Sequence, residues 1–138
     1  MRFMMLVIPK GYESAEPGKM PDAEHVAEMM KYNESLQKAG VLLALDGLHP
    51  PSAGVRVSFK NKKPTVTDGP FAEAKECLGG YWMIQVKSKE EAIAWASRAP
   101  MGDNEIIEVR QVQEFDDFPS DVQQAADGFK EMQAATKS

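Results

Sequence analysis

An α+β fold of ferredoxin-like type is predicted for this chain by three observations. β-rich runs and helical stretches follow the order β-α-β, a hairpin and turn, then β-α-β. Apolar residues occupy both faces of the main strands, so each face needs cover. The 138 residues, 43% hydrophobic and 27% charged, fit one globular domain with an appended tail. The domain is placed at residues 1–115, and 116–138 form a C-terminal helical extension.

The elements follow in order. Residues 2–8 (RFMMLVI) read as a strand that is apolar on both sides. Residues 10–21 are a Gly/Pro loop. From Asp22 to Ala39, Val26, Met29, Met30, Asn33 and Leu36 recur at helical spacing, and Asn33 is the one polar interruption. Asp22 is suited to cap this helix and Gly40 to stop it. Residues 41–48 (VLLALDGL) form a second strand, closed by His49-Pro50-Pro51. Val55–Phe59 and Thr65–Thr67 are a hairpin turning at Asn61-Lys62-Lys63. Residues 80–86 (GYWMIQV) form the next strand. Ser88 and Glu91 make a capping box for a helix that Pro100 ends. Residues 105–112 (EIIEVRQV) form the last strand, and a terminal helix interrupted by Gly128 begins near Pro119.

Charge and composition remove several classes of function. A net charge of −5 supplies no basic field for nucleic acid or an anionic membrane. The longest apolar run, Phe3–Ile8, is far short of the ~20 residues that cross a bilayer. It is also too short for a secretion signal, and Pro9 ends it. The single Cys77 rules out an internal disulfide, fits a reducing cytoplasm and reads as buried and inert. No Cys/His cluster has metal-site spacing, so no metal and no built-in cofactor are expected. Nine methionines read as core and interface filler. Helices on one side of the sheet leave Met4, Leu6 and Ile8, or their neighbours, uncovered. A second copy packed sheet against sheet would bury them in a homodimer. The alternative is a C-terminal helix folded back over part of that face.

The run VTDGPFAEAKECLGGYWMIQV, followed by EEAIAWASRAP and IIEVRQV, resembles the DGPF-domain branch of the YCII-related proteins. The resemblance implies a dimeric α/β barrel of ferredoxin-like subunits. It implies a His–Asp pair near a cleft between sheet and helix. It also implies occurrence alongside extracytoplasmic-function sigma factors. His25 matches the family's helical histidine. Where YCII-type chains read Asp-Pro-Phe after the second helix, this one reads Ala99-Pro100-Met101.

The candidate catalytic residues are Asp68, His49 and His25. Asp68 precedes a Gly-Pro turn and is either a turn residue bonded to nearby amides or a carboxylate aimed into a pocket. Gly69 would supply an unusual φ for that turn. His49, at a strand end, is a partner for Asp68 in an acid–base pair, and Asp46 is another carboxylate for such a pair. Arg56, Glu73, Arg110 and Tyr81 are the candidate ligand-binding residues. An arginine inside an apolar strand pairs with a carboxylate such as Asp68 or Glu73, binds an anionic ligand, or lies on an exposed face. Two functions fit these residues. One is a small enzyme doing acid–base chemistry on a small organic molecule, anionic in one version. The other is a binding or regulatory module acting with a sigma factor.

Overall fold

The computed structural model describes residues 1–72 and 76–136. β1 (Arg2–Ile8) leads through a 3-10 turn at Tyr12–Ser14 to α1 (Ala23–Lys38). β2 (Leu42–Gly47) follows, then a 3-10 turn at Pro51–Ala53 and the hairpin β3 (Val55–Lys60) and β4 (Lys63–Asp68). The second unit is β5 (Gly80–Gln85), α2 (Lys89–Ser97) and β6 (Ile106–Gln111). Beyond it lie α3 (Ser120–Ala125) and α4 (Phe129–Ala135).

The main sheet runs β2-β5-β1-β6, antiparallel throughout. Each half thus contributes one central and one edge strand, the interleaving of a ferredoxin-like α+β sandwich. The hairpin forms a separate two-stranded sheet.

Local sequence explains the helix ends. The Asp22 carboxylate accepts from the His25 N–H at 2.8 Å. At the other end Gly40 is left-handed, with φ +74°. Its N–H donates to Gln37 O and the Val41 N–H to Leu36 O, the paired bonds of a Schellman stop. Ser88 Oγ accepts from the Glu91 N–H at 3.1 Å. The Glu91 carboxylate reaches back one residue further than a capping box requires, to the Lys87 N–H at 3.0 Å.

Strand alternation sets the two faces of the sheet. Phe3, Met5 and Val7 of β1 are buried, as are Trp82 and Ile84 of β5. With Tyr32 and Leu36 of α1 and Ala92 of α2 they form the core between sheet and helices. Met4, Leu6, Ile8 and Met83 point the other way and are half-buried. Neither α3 nor α4 packs extensively on this face or on any other element.

One detail differs from expectation, and a second, the interruption at Gly128, is as expected. The hairpin strands run to Lys60 and from Lys63, leaving a two-residue turn at Asn61-Lys62 with φ of +53° and +65°. Positive φ at both central residues is the turn geometry whose twist suits a hairpin. The terminal helix is two short helices, because Gly128 at φ +90° breaks the path between them.

Tyr32 is the polar member of the core. Its hydroxyl donates to Trp95 O at 2.6 Å, tying α1 to α2. Burial pushes its pKa up to about 12, and Arg98 offsets part of that rise. A raised tyrosine pKa stabilises the fold below the unfolded value near 10, and that contribution is lost as pH climbs toward 12. Denaturant titrations should therefore show wild-type stability falling more steeply from pH 10 to 12 than that of Tyr32→Phe. Parallel curves would show that the hydroxyl does not gain from burial.

Candidate functional site

α1 packs tightly only through its C-terminal half. Tyr32 and Leu36 are buried, whereas Val26 and Met30, nearer the N-terminus, are 41% and 50% exposed. The N-terminal half stands off the sheet and leaves a cavity of about 670 Å³ beneath it. That volume suits a small organic ligand.

Trp82 forms part of the cavity wall. Its ring stands edge-on to Tyr32, with centroids 5.1 Å apart and planes at 77°. The indole N–H donates to Asn33 Oδ1 at 2.7 Å. This bond explains the one polar residue on the helix's apolar stripe. Leu45 pairs with Trp82 and shares its face of the sheet. Met20, Met29, Met30 and Met101 complete much of the lining. Four of the nine methionines, first read as filler, thus face a cavity. Thioether side chains suit such a wall, since they adapt to ligand shape without polar demands.

Glycines let the floor close. A Cβ on Gly80 would lie 2.8 Å from Asp46 O, and one on Gly79 would lie 2.5 Å from Pro9 Cγ. Two loops close the mouth and are tied together. The Tyr12 hydroxyl donates to Leu48 O, and Ser52 Oγ donates to Ala15 O at 2.8 Å. Burial raises the Tyr12 pKa, so the hydroxyl keeps its proton.

The polar groups of the lining are sparse. His25 enters from the first turn of α1 and His49 from the end of the β2 connection. Lys10, Lys19 and Glu105 also line the cavity. Glu105 Oε1 accepts from the Gly102 N–H at 2.8 Å, which fixes this carboxylate at the rim. Two imidazoles, two ammonium groups and one carboxylate around an apolar hollow can hold an anionic end of a ligand and move protons on it. Among the described residues, no group of three or more His, Cys, Asp or Glu is placed to hold a metal ion.

Of the residues singled out from sequence, the cavity collects His25, His49, Asp46 and Tyr81. Asp46 and Tyr81 sit at its edge. They alternate with Leu45 and Trp82, so their side chains stand on the opposite face of the sheet. There the Tyr81 hydroxyl donates to Asp46 Oδ2 at 3.1 Å, a bond that raises the tyrosine pKa. Arg110 stands on the outer face of β6, exposed, with Glu108 at 3.3 Å. Glu73 lies outside the described residues.

Asp68 is not brought to either histidine. It is exposed at the end of β4, outside the cavity lining. Among the described residues its carboxylate has no hydrogen-bond partner, neither a histidine nor an amide of its own turn. The turn is nevertheless anchored. Gly69 donates to Gly54 O at 2.9 Å, and a Cβ on Gly69 would fall 1.8 Å from Pro51 O. Gly69 is required for this close approach and not for a positive φ, which it does not adopt. The Gly69–Pro70 bond is cis. The Arg56 guanidinium lies 4.0 Å over the Phe71 ring on an exposed strand, so of its three alternatives the exposed face is the one observed. The Asp-Gly-Pro-Phe turn thereby braces residues 50–54, the loop that follows His49, with Pro50 fully buried at its base.

Trp82, Asn33, Tyr12 and Glu105 escaped the sequence reading as site residues. The only prior signal among them was Asn33, a polar residue at an apolar helical position.

Two expectations test this geometry. Asp68→Ala should leave stability within about 0.5 kcal/mol of wild type, as for a surface residue without contacts. Gly69→Ala should destabilise by more than about 2 kcal/mol and shift amide resonances of residues 48–54, because the new methyl has no room. A reversed order in urea melts would return the turn's importance to the carboxylate. Likewise Leu36→Ala should cost about 2–5 kcal/mol, whereas Met30→Ala should cost under about 1. Equal costs would mean that α1 packs along its whole length.

The comparisons agree with the architecture. No curated protein matches the chain closely enough to count as a relative. The YCII-related domain family matches residues 1–116, which span every strand and both helices of the sandwich and all of the cavity lining. The chain therefore belongs to the YCII-related domain family.

Proposed function

We propose that this protein binds a small organic molecule with an apolar body and an anionic end in the cavity under α1, and carries out acid–base chemistry on it. One observation carries the reading. The chain has two histidines, far apart in sequence, and both border the same apolar cavity. Imidazole is the side chain best suited to take up and release a proton near neutral pH. Lys10 and Lys19 would attract the anionic end, while the methionines and Trp82 would exclude water from the body. Glu105, which lines the same cavity, is our candidate for the carboxylate that the family's His–Asp pattern implies and that Ala99 lacks. No cofactor takes part in this scheme. A homodimer through Met4, Leu6, Ile8 and Met83 would cover the outer face of the sheet, and a cytoplasmic setting suits the unpaired Cys77.

A non-catalytic sensor acting with a sigma factor is the second reading. What favours it is that neither histidine has a hydrogen-bonded partner among the described residues to orient its ring.

The test is a titration with phenylacetate and hexanoate, with their neutral amides as controls, followed by imidazole NMR signals. The carboxylates should move both histidine signals together, and the amides should bind at least about tenfold more weakly, ~1.4 kcal/mol. Deuterium uptake at the carbon beside the carboxyl should fall at least about hundredfold in His25→Gln or His49→Gln, the usual scale of a lost acid–base group. Binding without exchange in wild type would favour the sensor. No change at either histidine would sink the site.

A further inference from the structure

The hairpin β3–β4 projects from the domain without cover. All six residues of each strand are exposed. Register places Val57 opposite Val66, Phe59 opposite Pro64 and Val55 opposite Asp68 at the base. Apart from Asp68 this face is apolar, and its apolar side chains are 50–72% exposed: Val55 58%, Val57 50%, Phe59 72%, Val66 65%. A two-stranded hairpin with a bare apolar face is marginal in water and is normally held by packing on something else. Its tip is basic, with Lys60, Lys62 and Lys63 around the turn, in a chain of net charge −5.

The C-terminal segment has the opposite character. From Phe115 to Phe129 it carries Asp116, Asp117, Asp121 and Asp127 and no lysine or arginine, and the next residue, Lys130, pairs with Asp116 at 3.6 Å, which leaves the other three aspartates in excess. It too exposes apolar side chains, with Val122 at 40%, Phe129 at 39% and Met132 at 66%. Within one chain the hairpin and this segment do not pack extensively on each other.

We propose that the β3–β4 hairpin is an arm that docks on the α3–α4 segment of a second copy of this chain. The apolar face of the arm covers Val122, Phe129 and Met132, and its lysine tip lies among the aspartates. Both halves of the contact belong to the same sequence, so a two-fold axis makes the contact twice and closes the assembly. Complementary charge sets the register of docking, and the apolar faces supply the area buried. The contact adds to any sheet-to-sheet pairing and does not depend on the cavity or its ligand.

The experiment uses the full chain. Equal amounts of ¹⁴N- and ¹⁵N-labelled protein are mixed and treated with a carbodiimide, which joins amines to carboxylates that touch. Lys60, Lys62 or Lys63 should be joined to Asp116, Asp121 or Asp127 in mixed-isotope pairs. In sedimentation, K60E/K62E/K63E should weaken the dimer by at least about tenfold at low salt, and added salt should narrow that gap. Val57→Ser/Phe59→Ser should weaken it by a similar factor at any salt, with circular dichroism confirming the fold. A monomeric wild type, cross-links only within one isotope, or a dimer indifferent to the lysine substitutions would each overturn the proposal.

Discussion

The architecture of the site depends on Trp82. Its indole is the point where sheet, helix and cavity meet. One edge of the ring system packs against Tyr32, and the N–H is spent on Asn33. Up to this residue α1 can lie on the sheet, because Leu36 and Tyr32 fit between the strands' buried side chains. The same ring also lines the cavity under the helix's N-terminal half, so hollow and core share one side chain. The helix is capped at both ends, by Asp22 and by the left-handed Gly40.

The Asp-Gly-Pro-Phe turn is the second support. Its recognisable letters divide the labour unequally. Glycine allows the chain to touch the backbone at Pro51, and phenylalanine receives Arg56. The aspartate, which as a lone charge attracts attention in the sequence, makes no side-chain hydrogen bond or ion pair among the described residues. A motif can be conspicuous through a residue that is structurally idle while its neighbours do the holding.

Much of the fold was legible beforehand. Short continuous apolar runs marked β1 and β5, and the capping residues marked both helices of the sandwich, because these signals are local and covalently close. The break at Gly128 was legible, and the hairpin turn was legible in kind and displaced in detail, since φ signs at Asn61 and Lys62 do not follow from composition. The site was legible only in part. His25 and His49 could be named, but their meeting depends on the tertiary path of two connections. Asp68 was drawn toward them by chain order alone, and the orientation of β4 carries it away. The methionines were ambiguous for a different reason. A thioether packs equally well in a filled core and along an empty wall, so its identity does not say which side it faces.

The two bonds between the connections, Tyr12 to Leu48 and Ser52 to Ala15, join the β1–α1 connection to the segment that follows β2. Neither connection can open alone without breaking both. The mouth of the cavity therefore behaves as a single hinged panel. Its two latches are neutral hydrogen bonds to backbone carbonyls, each worth about 1 kcal/mol net. The Leu48 N–H also donates to Gly79 O at 2.9 Å, which keeps the β2 side of the panel on the sheet. Entry of a guest molecule would accordingly be governed by the concerted release of two weak latches, a gate set by probability more than by charge.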